Sequence, residues 1–386
     1  MINKKFVIIG AGACGISLSY FLKKKGVSKI TIFEKDLIGS GSTGKCAGII
    51  SIQLWNEIDI KLARRSLEIF EEISKKFPYF KINKRGLITI AKEEKSKKYV
   101  EKIAELLKEG KINFEIFENK KIKEEFPFIK DYKNAILLKT FSDLYVDSGM
   151  FLYILYSHLK KENVEFRLLR EVENFKISGN EIKGVWVKGV YYPGDIFILC
   201  TGVWSKKIVE KLNINVPILP YRTQAGILRK KGELNIPIIH DVDKKIYIRN
   251  EGNDRFLVGD GTEHKESPLI YNEMADGKFV YEVLPKVSEI LEDFEDAEYM
   301  GGWAGLCDAT PDRHPILGKI NNFENLYIIS GFNGFGFMRI PAIAENFSLY
   351  LLENKMEIDL SPYFFDRFKN KLIDKFEIKD GFLLTD

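Results

Sequence analysis

The residues best suited to chemistry come at the start of the chain. The run "IIGAGACG" over 8–15 sets Gly10, Gly12 and Gly15 in G-x-G-x-x-G spacing directly after an apolar, strand-like stretch. Each glycine answers a separate need: Gly10 a tight turn, Gly12 the approach of a pyrophosphate to the backbone, Gly15 the packing of a helix on the strand. Around them, Ala11, Ala13 and Cys14 present amides and the positive end of that helix to phosphate oxygens. Glu34 closes the next strand, where a carboxylate binds ribose hydroxyls and disfavours a ribose 2′-phosphate. NADP is thereby the weakest choice, and NAD and FAD remain. The loop "GSGSTGKCAG" over 39–48 separates them. An NAD domain would run on into helix and strand, whereas Ser42, Thr43 and the loop amides suit an extended pyrophosphate with a flavin beyond it. The cofactor reading is FAD.

A second set of chemical residues lies far along the chain. In "KIYIRNEGNDRFLVGDG" Tyr247 and Arg249 alternate with Ile246 and Ile248, so both face one side of a strand. Arg249 is a candidate bidentate partner for a carboxylate, and His314 in "TPDRHP" is a further candidate. Four histidines and four cysteines (Cys14, Cys46, Cys200, Cys307) are scattered without C-x-x-C spacing, so no metal site is expected.

These residues need elements to hold them. Phe6–Ile9 reads as a strand, Ala13–Lys25 as a helix stopped by Gly26, and Lys29–Phe33 as a second strand, which together form a parallel-sheet unit. Helices are expected over 61–76, 92–109 and 150–162, and strands at Val164–Leu169, Phe175–Ile177, Ile182–Val187 and Ile196–Cys200. Residues 217–262 change to an antiparallel pattern, with a hairpin around Gly252-Asn253-Asp254. From Asn325 the parallel pattern returns: strand Leu326–Ser330, a glycine-rich turn, then a helix to Leu352. The fold class is α/β. A discontinuous Rossmann-like FAD domain (1–85, 145–216, 300–386) is interleaved with a substrate domain of mixed or antiparallel sheet (86–144, 217–299).

Composition narrows the function classes. The 386 residues are 45% hydrophobic and 13% aromatic, enough for a folded core. Their 59 basic and 55 acidic side chains are dispersed and leave a net charge of +4, so no nucleic-acid footprint is expected. No apolar run reaches the ~18 residues of a spanning helix, and the N-terminus lacks the pattern of a signal peptide. Unpaired, dispersed cysteines suit the cytoplasm.

With these motifs in place, the chain resembles the FAD-dependent amine and amino-acid oxidoreductases. That family includes sarcosine and glycine oxidases, D-amino-acid oxidase and dye-linked proline dehydrogenase subunits. The resemblance is carried by "GAGACG" with Glu34, "GSGSTGKCAG", "YVDSGMF", "ILCTGVWS", "YRTQAG", "IYIRNEGNDRFLVGDG", "GWAGLCDATPDRHPILG" and "GFNGFGFMRIPA". It implies that FAD also meets Lys35, Lys45, Cys46, Val172, Thr201, Gly202, Trp204 and Gly305. At the far turn it implies Gly331, Asn333, Gly334, Phe335, Gly336, Phe337 and Met338, with the next helix aimed at the flavin's pyrimidine edge. Some relatives tie the flavin to a histidine at the place of Lys45 or a cysteine at the place of Gly305, so noncovalent FAD is expected. Tyr247 matches a substrate-contacting tyrosine, and Lys45 is expected beside the flavin.

The departures bear on substrate. Cys307 and Met338 stand where relatives place the arginine or lysine that clamps a carboxylate. Arg249, Arg339, Arg222 and Lys45 are the replacement candidates. Leu257 matches the oxygen-activating lysine of sarcosine oxidases, which favours a dehydrogenase. The expected reaction is hydride removal from the amine-bearing carbon of a small amino or imino acid such as proline, sarcosine or glycine. The expected partners are that substrate and an electron acceptor or carrier, a partner subunit being one form of it. Oxidation of a hydroxyacid or glycerol-3-phosphate, and a flavin-bearing assembly or electron-transfer subunit, stand as alternatives.

Overall fold

The structure is a computed structural model, and it describes residues 1–130, 133–260, 267–320 and 322–369. Gly261 at the end of the hairpin motif and the terminal stretch 370–386 lie outside these.

Lys5–Ile9 and Lys29–Phe33 pair in parallel, Phe6 opposite Ile30 and Ile9 opposite Phe33. Both are apolar on their two faces, as a sheet covered on both sides requires. Around them the sheet runs Glu165–Arg167, Lys29–Phe33, Lys5–Ile9, Ile196–Leu199, Leu326–Ser330 and Ile316–Lys319, with only the last strand antiparallel. Helices Ala13–Lys24, Ser148–Lys161, Glu57–Lys76 and Ile340–Glu353 pack on one face, around Ile16, Phe151, Phe70 and Phe347. On the other face lies a small antiparallel sheet, Asn174–Ser178, Glu181–Val187 and Val190–Pro193, whose Phe175 and Val185 meet Val7 and Phe33. The helix expected from 61 starts at Glu57, where the Asn56 side chain accepts from the Asp59 amide at 2.8 Å.

An eight-stranded sheet forms the second layer, in the order Glu298–Ala309, Leu219–Arg229, Arg255–Asp260, Ile246–Asn250, Ile238–Asp241, Leu87–Ala91, Ile136–Thr140, Phe114–Glu118. It is antiparallel except where Ile238–Asp241 meets Leu87–Ala91. Helix Gly277–Ile290 buries Phe279, Val283 and Val287 in the core that backs it. The expected boundary at 300 is corrected here: Glu298–Ala309 is one strand, paired with Leu219–Arg229 from Glu298 to Ala309. Apart from a bulge at Met300, its pairing keeps it in this sheet.

Candidate active site

The glycine turn is built as its spacing requires. Gly10 sits at φ +108°, and a Cβ there would lie 2.3 Å from the Cys200 carbonyl oxygen. A Cβ on Gly15 would lie 2.0 Å from the Gly10 oxygen, so helix and strand touch backbone to backbone. Gly12 caps the Ala13–Lys24 helix without any side-chain cap, which leaves first-turn amides for an anion. Thr43 accepts from the Ala13 amide at 3.1 Å and holds the 42–45 turn over that helix start. Glu34 accepts from the amides of Ala11 (2.8 Å) and Asp36 (2.9 Å), so its carboxylate braces the turn it faces. Lys35 lies 3.7 Å over the Trp204 ring, joining two walls by a cation–π contact.

The far turn is held by charges buried beneath it. Asp308 accepts from the amides of Gly331 (2.7 Å) and Phe332 (3.0 Å), while burial pushes its pKa up. Arg339, fully buried, donates to the carbonyls of Phe332 and Phe335 and to Asp59 at 2.6 Å. Asn333 takes φ +56° and ties its amide to Thr310 and the Gly331 carbonyl. Ser42 donates to the Leu306 carbonyl at 2.6 Å, and the Trp303 indole donates to the Lys45 carbonyl at 2.9 Å. The two glycine-rich turns are thus fixed against one another.

Between them lies a cavity of about 650 Å³ walled by both sheets. Of the expected cofactor residues, all but Ala11, Gly15 and Gly331 line it. Those three act one step back, through the Glu34, Gly10 and Asp308 contacts above. The residues present fit FAD. The glycine turn at 10–15 brings backbone to the cavity surface, amides and hydroxyls gather at Gly12 and Thr43, and Gly334 and Gly305 keep the far wall thin.

Of the candidate catalytic residues, Tyr247 and Lys45 line the cavity, and Arg249 and His314 do not. Arg249 donates to the carbonyls of Ala47 (2.6 Å) and Asn250 (2.8 Å), pairs with Glu251, and lies over the Tyr145 ring beside a separate polar pocket. Arg249 is two residues along the strand from Tyr247 and lies one pleat beyond the cavity. His314 stacks on Tyr363 with its Nδ1 4.0 Å from Asp59, and burial lowers its pKa. Of the other cations, Arg222 binds Asp276 and the carbonyls of Asn272 and Met274, and Arg339 braces the far turn. Lys45 alone of the four faces the cavity, bound to Glu273 and the Tyr271 hydroxyl, both at 2.9 Å. Burial works against its ammonium, but these partners outweigh that and hold its pKa above the ordinary value. Leu257, buried opposite Arg249 and Ile227, is also outside the lining.

Several cavity residues escape sequence reasoning. Tyr221 and Thr223 reach Cys307 from the neighbouring strand, and burial lifts the Cys307 thiol to about 11, so it stays protonated. Tyr99, His240 and Thr89 also line the cavity. No local pattern marks them: strand pairing brings His240 and Thr89 there, and Tyr99 comes from the helix Glu94–Glu109. Among the described residues no cluster could hold a metal, and no helix is long and apolar enough to cross a membrane.

Comparison with known proteins agrees with this geometry. The model of the FAD dependent oxidoreductase family (DAO) matches residues 5–348, and the chain belongs to that family. It is 23% identical to the monomeric sarcosine oxidase of Arthrobacter sp. (strain TE1826), over 94% of this chain and 95% of that protein. With the human mitochondrial sarcosine dehydrogenase it shares 22% over 95% of this chain, covering 42% of that longer protein. The crystal structure of L-proline dehydrogenase from P. horikoshii superposes with a TM-score of 0.88 at 25% identity, covering 95% of this chain and 98% of that one. That of glycine oxidase from Geobacillus kaustophilus gives 0.83 at 17% identity, over 94% and 98%.

Proposed function

From its place among FAD-dependent oxidoreductases, we propose that the protein oxidises a small amino or imino acid of the proline, sarcosine and glycine class. The observation that carries this is one continuous cavity that joins the cofactor cradle at Gly12 and Thr43 to a chamber walled by Tyr247, Tyr99 and Lys45. Bound FAD supplies the two-electron oxidant for the carbon that bears the amine. The chain's share is to orient the substrate, exclude water and hold the amine close to that oxidant. Tyr247 orients the substrate from the sheet floor. Lys45, its charge shared with Glu273, attracts a carboxylate without fully neutralising it.

The electrons pass to a carrier rather than to oxygen, a reading supported by the likeness to the L-proline dehydrogenase. FAD is held noncovalently, since Gly305 and Lys45 stand where some relatives attach it and Cys307 is engaged by Tyr221 and Thr223. Four free cysteines suit a cytoplasmic setting.

Anaerobic titration with L-proline, sarcosine and glycine tests this. At least one should bleach the flavin absorbance, and the bleached protein should reoxidise faster with an artificial dye than with air. Bleaching by hydroxyacids alone would overturn the substrate class, and immediate reoxidation in air would overturn the acceptor.

A further inference from the structure

The eight-stranded sheet brings three polar side chains from adjacent strands to one register. His240 stands opposite Tyr247 across an antiparallel pair and beside Thr89 across a parallel one. All three line the cavity, and such cross-strand neighbours have Cβ atoms about 5 Å apart. The His240 imidazole has no hydrogen-bond partner among the described residues. The ring is part-exposed on the cavity side, so its nitrogens are open to a molecule bound there.

The electrostatics of the chamber say which kind. Burial pushes the His240 pKa down to about 4, so at neutral pH the ring is uncharged and keeps one nitrogen as a bare acceptor. Other titratable groups that line the same cavity include Tyr247, Tyr99, Tyr221, Lys245, and Lys45 with Glu273 and Tyr271. A substrate amino acid arrives with its nitrogen protonated, and that nitrogen must lose a proton before its lone pair can assist oxidation.

We infer that His240 accepts a hydrogen bond from the substrate's amine nitrogen and takes its proton, a role that rests on the function proposed above. One N–H bond of the ammonium breaks, the proton joins the bare ring nitrogen, and the lone pair stays on the substrate. Burial in the same chamber weakens the ammonium's hold on its proton, but imidazole remains the weaker base, so the transfer is uphill and is drawn forward as the substrate carbon is oxidised. As the product leaves, the imidazolium returns the proton to water.

The test is His240→Gln, which keeps an acceptor of similar reach but cannot take a proton. Flavin bleaching at low concentrations of whichever amino or imino acid reduces the wild type is followed by stopped flow against pH. The wild-type rate should be flat from about pH 5 to 8. That of H240Q should fall about a hundredfold at pH 7, rise about tenfold per pH unit, and approach the wild type in alkali. Tetrahydrofuran-2-carboxylate, with an ether oxygen in place of N–H, should perturb the flavin spectrum of both proteins with affinities within about twofold. A variant profile parallel to the wild type, or equal loss of ether-acid binding, would overturn the assignment. Wild type that no amino or imino acid reduces would instead overturn the proposed function, and this role with it.

Discussion

Around Gly10–Glu34 the cavity wall is mostly backbone: glycine turns, helix-start amides, and a carboxylate that accepts from the amides of Ala11 and Asp36. Around Tyr247 it is side chains delivered by five strands and the helix that carries Tyr99, with most neighbouring charges already in use. The first wall specifies its ligand by conformation, which a short run of sequence encodes. The second specifies by what is left over after Arg249, Arg222 and Arg339 have bound protein carbonyls and carboxylates. Substitutions on the two sides should therefore fail in different ways.

The largest effect is expected on the backbone side. Gly15→Ala forces a Cβ to within 2.0 Å of the Gly10 oxygen, which must displace helix from strand. The purified protein should carry less than about a tenth of the wild-type flavin, read from its visible absorbance, because the phosphate cradle is lost with the packing. Asp59→Asn comes next. It leaves the fully buried Arg339 without its counter-charge, at a cost of about 3–5 kcal/mol. Thermal unfolding should register that loss, together with weaker flavin retention as the 331–336 turn loosens.

On the substrate side the effects are smaller and separable. Unfolded, a histidine gains its proton near pH 6.5, but folded His240 does so only near 4. Between these values the unfolded chain binds more protons, so stability falls as the pH drops, by up to about 3 kcal/mol. Buried Asp143 and Asp308, whose pKa values burial raises, slope the other way. The quantity to measure is therefore the wild-type minus H240Q difference in denaturant unfolding between pH 6.5 and 4. Smallest is Arg249→Met, which should cost about 1–3 kcal/mol through the orphaned carbonyls of Ala47 and Asn250. Its substrate KM should stay within about twofold. A large KM rise with unchanged stability would make Arg249 the carboxylate clamp and erase the contrast between the two walls.

That contrast also explains what could be read before the structure. Lys29–Phe33 and Leu326–Ser330 were read with the ends they have, because short apolar strands next to glycine turns are set by neighbours in sequence. Arg249 was misplaced because its acceptor, the Ala47 carbonyl, lies 202 residues away. Period-two alternation gives its face but not how far along the strand the cavity reaches. Nothing in the sequence marks His240, because Ile238–Asp241 is a four-residue strand whose place at the cavity follows only from pairing with Leu87–Ala91. The strand Glu298–Ala309 crosses the expected boundary at 300 because its partner Leu219–Arg229 lies far earlier in the chain, a pairing that no local pattern announces.

The central claim is that the hydrogen leaves the amine-bearing carbon of a small amino or imino acid. Anaerobic stopped-flow bleaching with L-proline and with L-proline deuterated at that carbon tests it most directly, with sarcosine deuterated on its methyl and methylene groups as the alternative donor. The account predicts bleaching by at least one of these acids, slowed several-fold by deuterium. Bleaching at equal rates with both isotopes would contradict it, and so would a flavin that neither acid reduces.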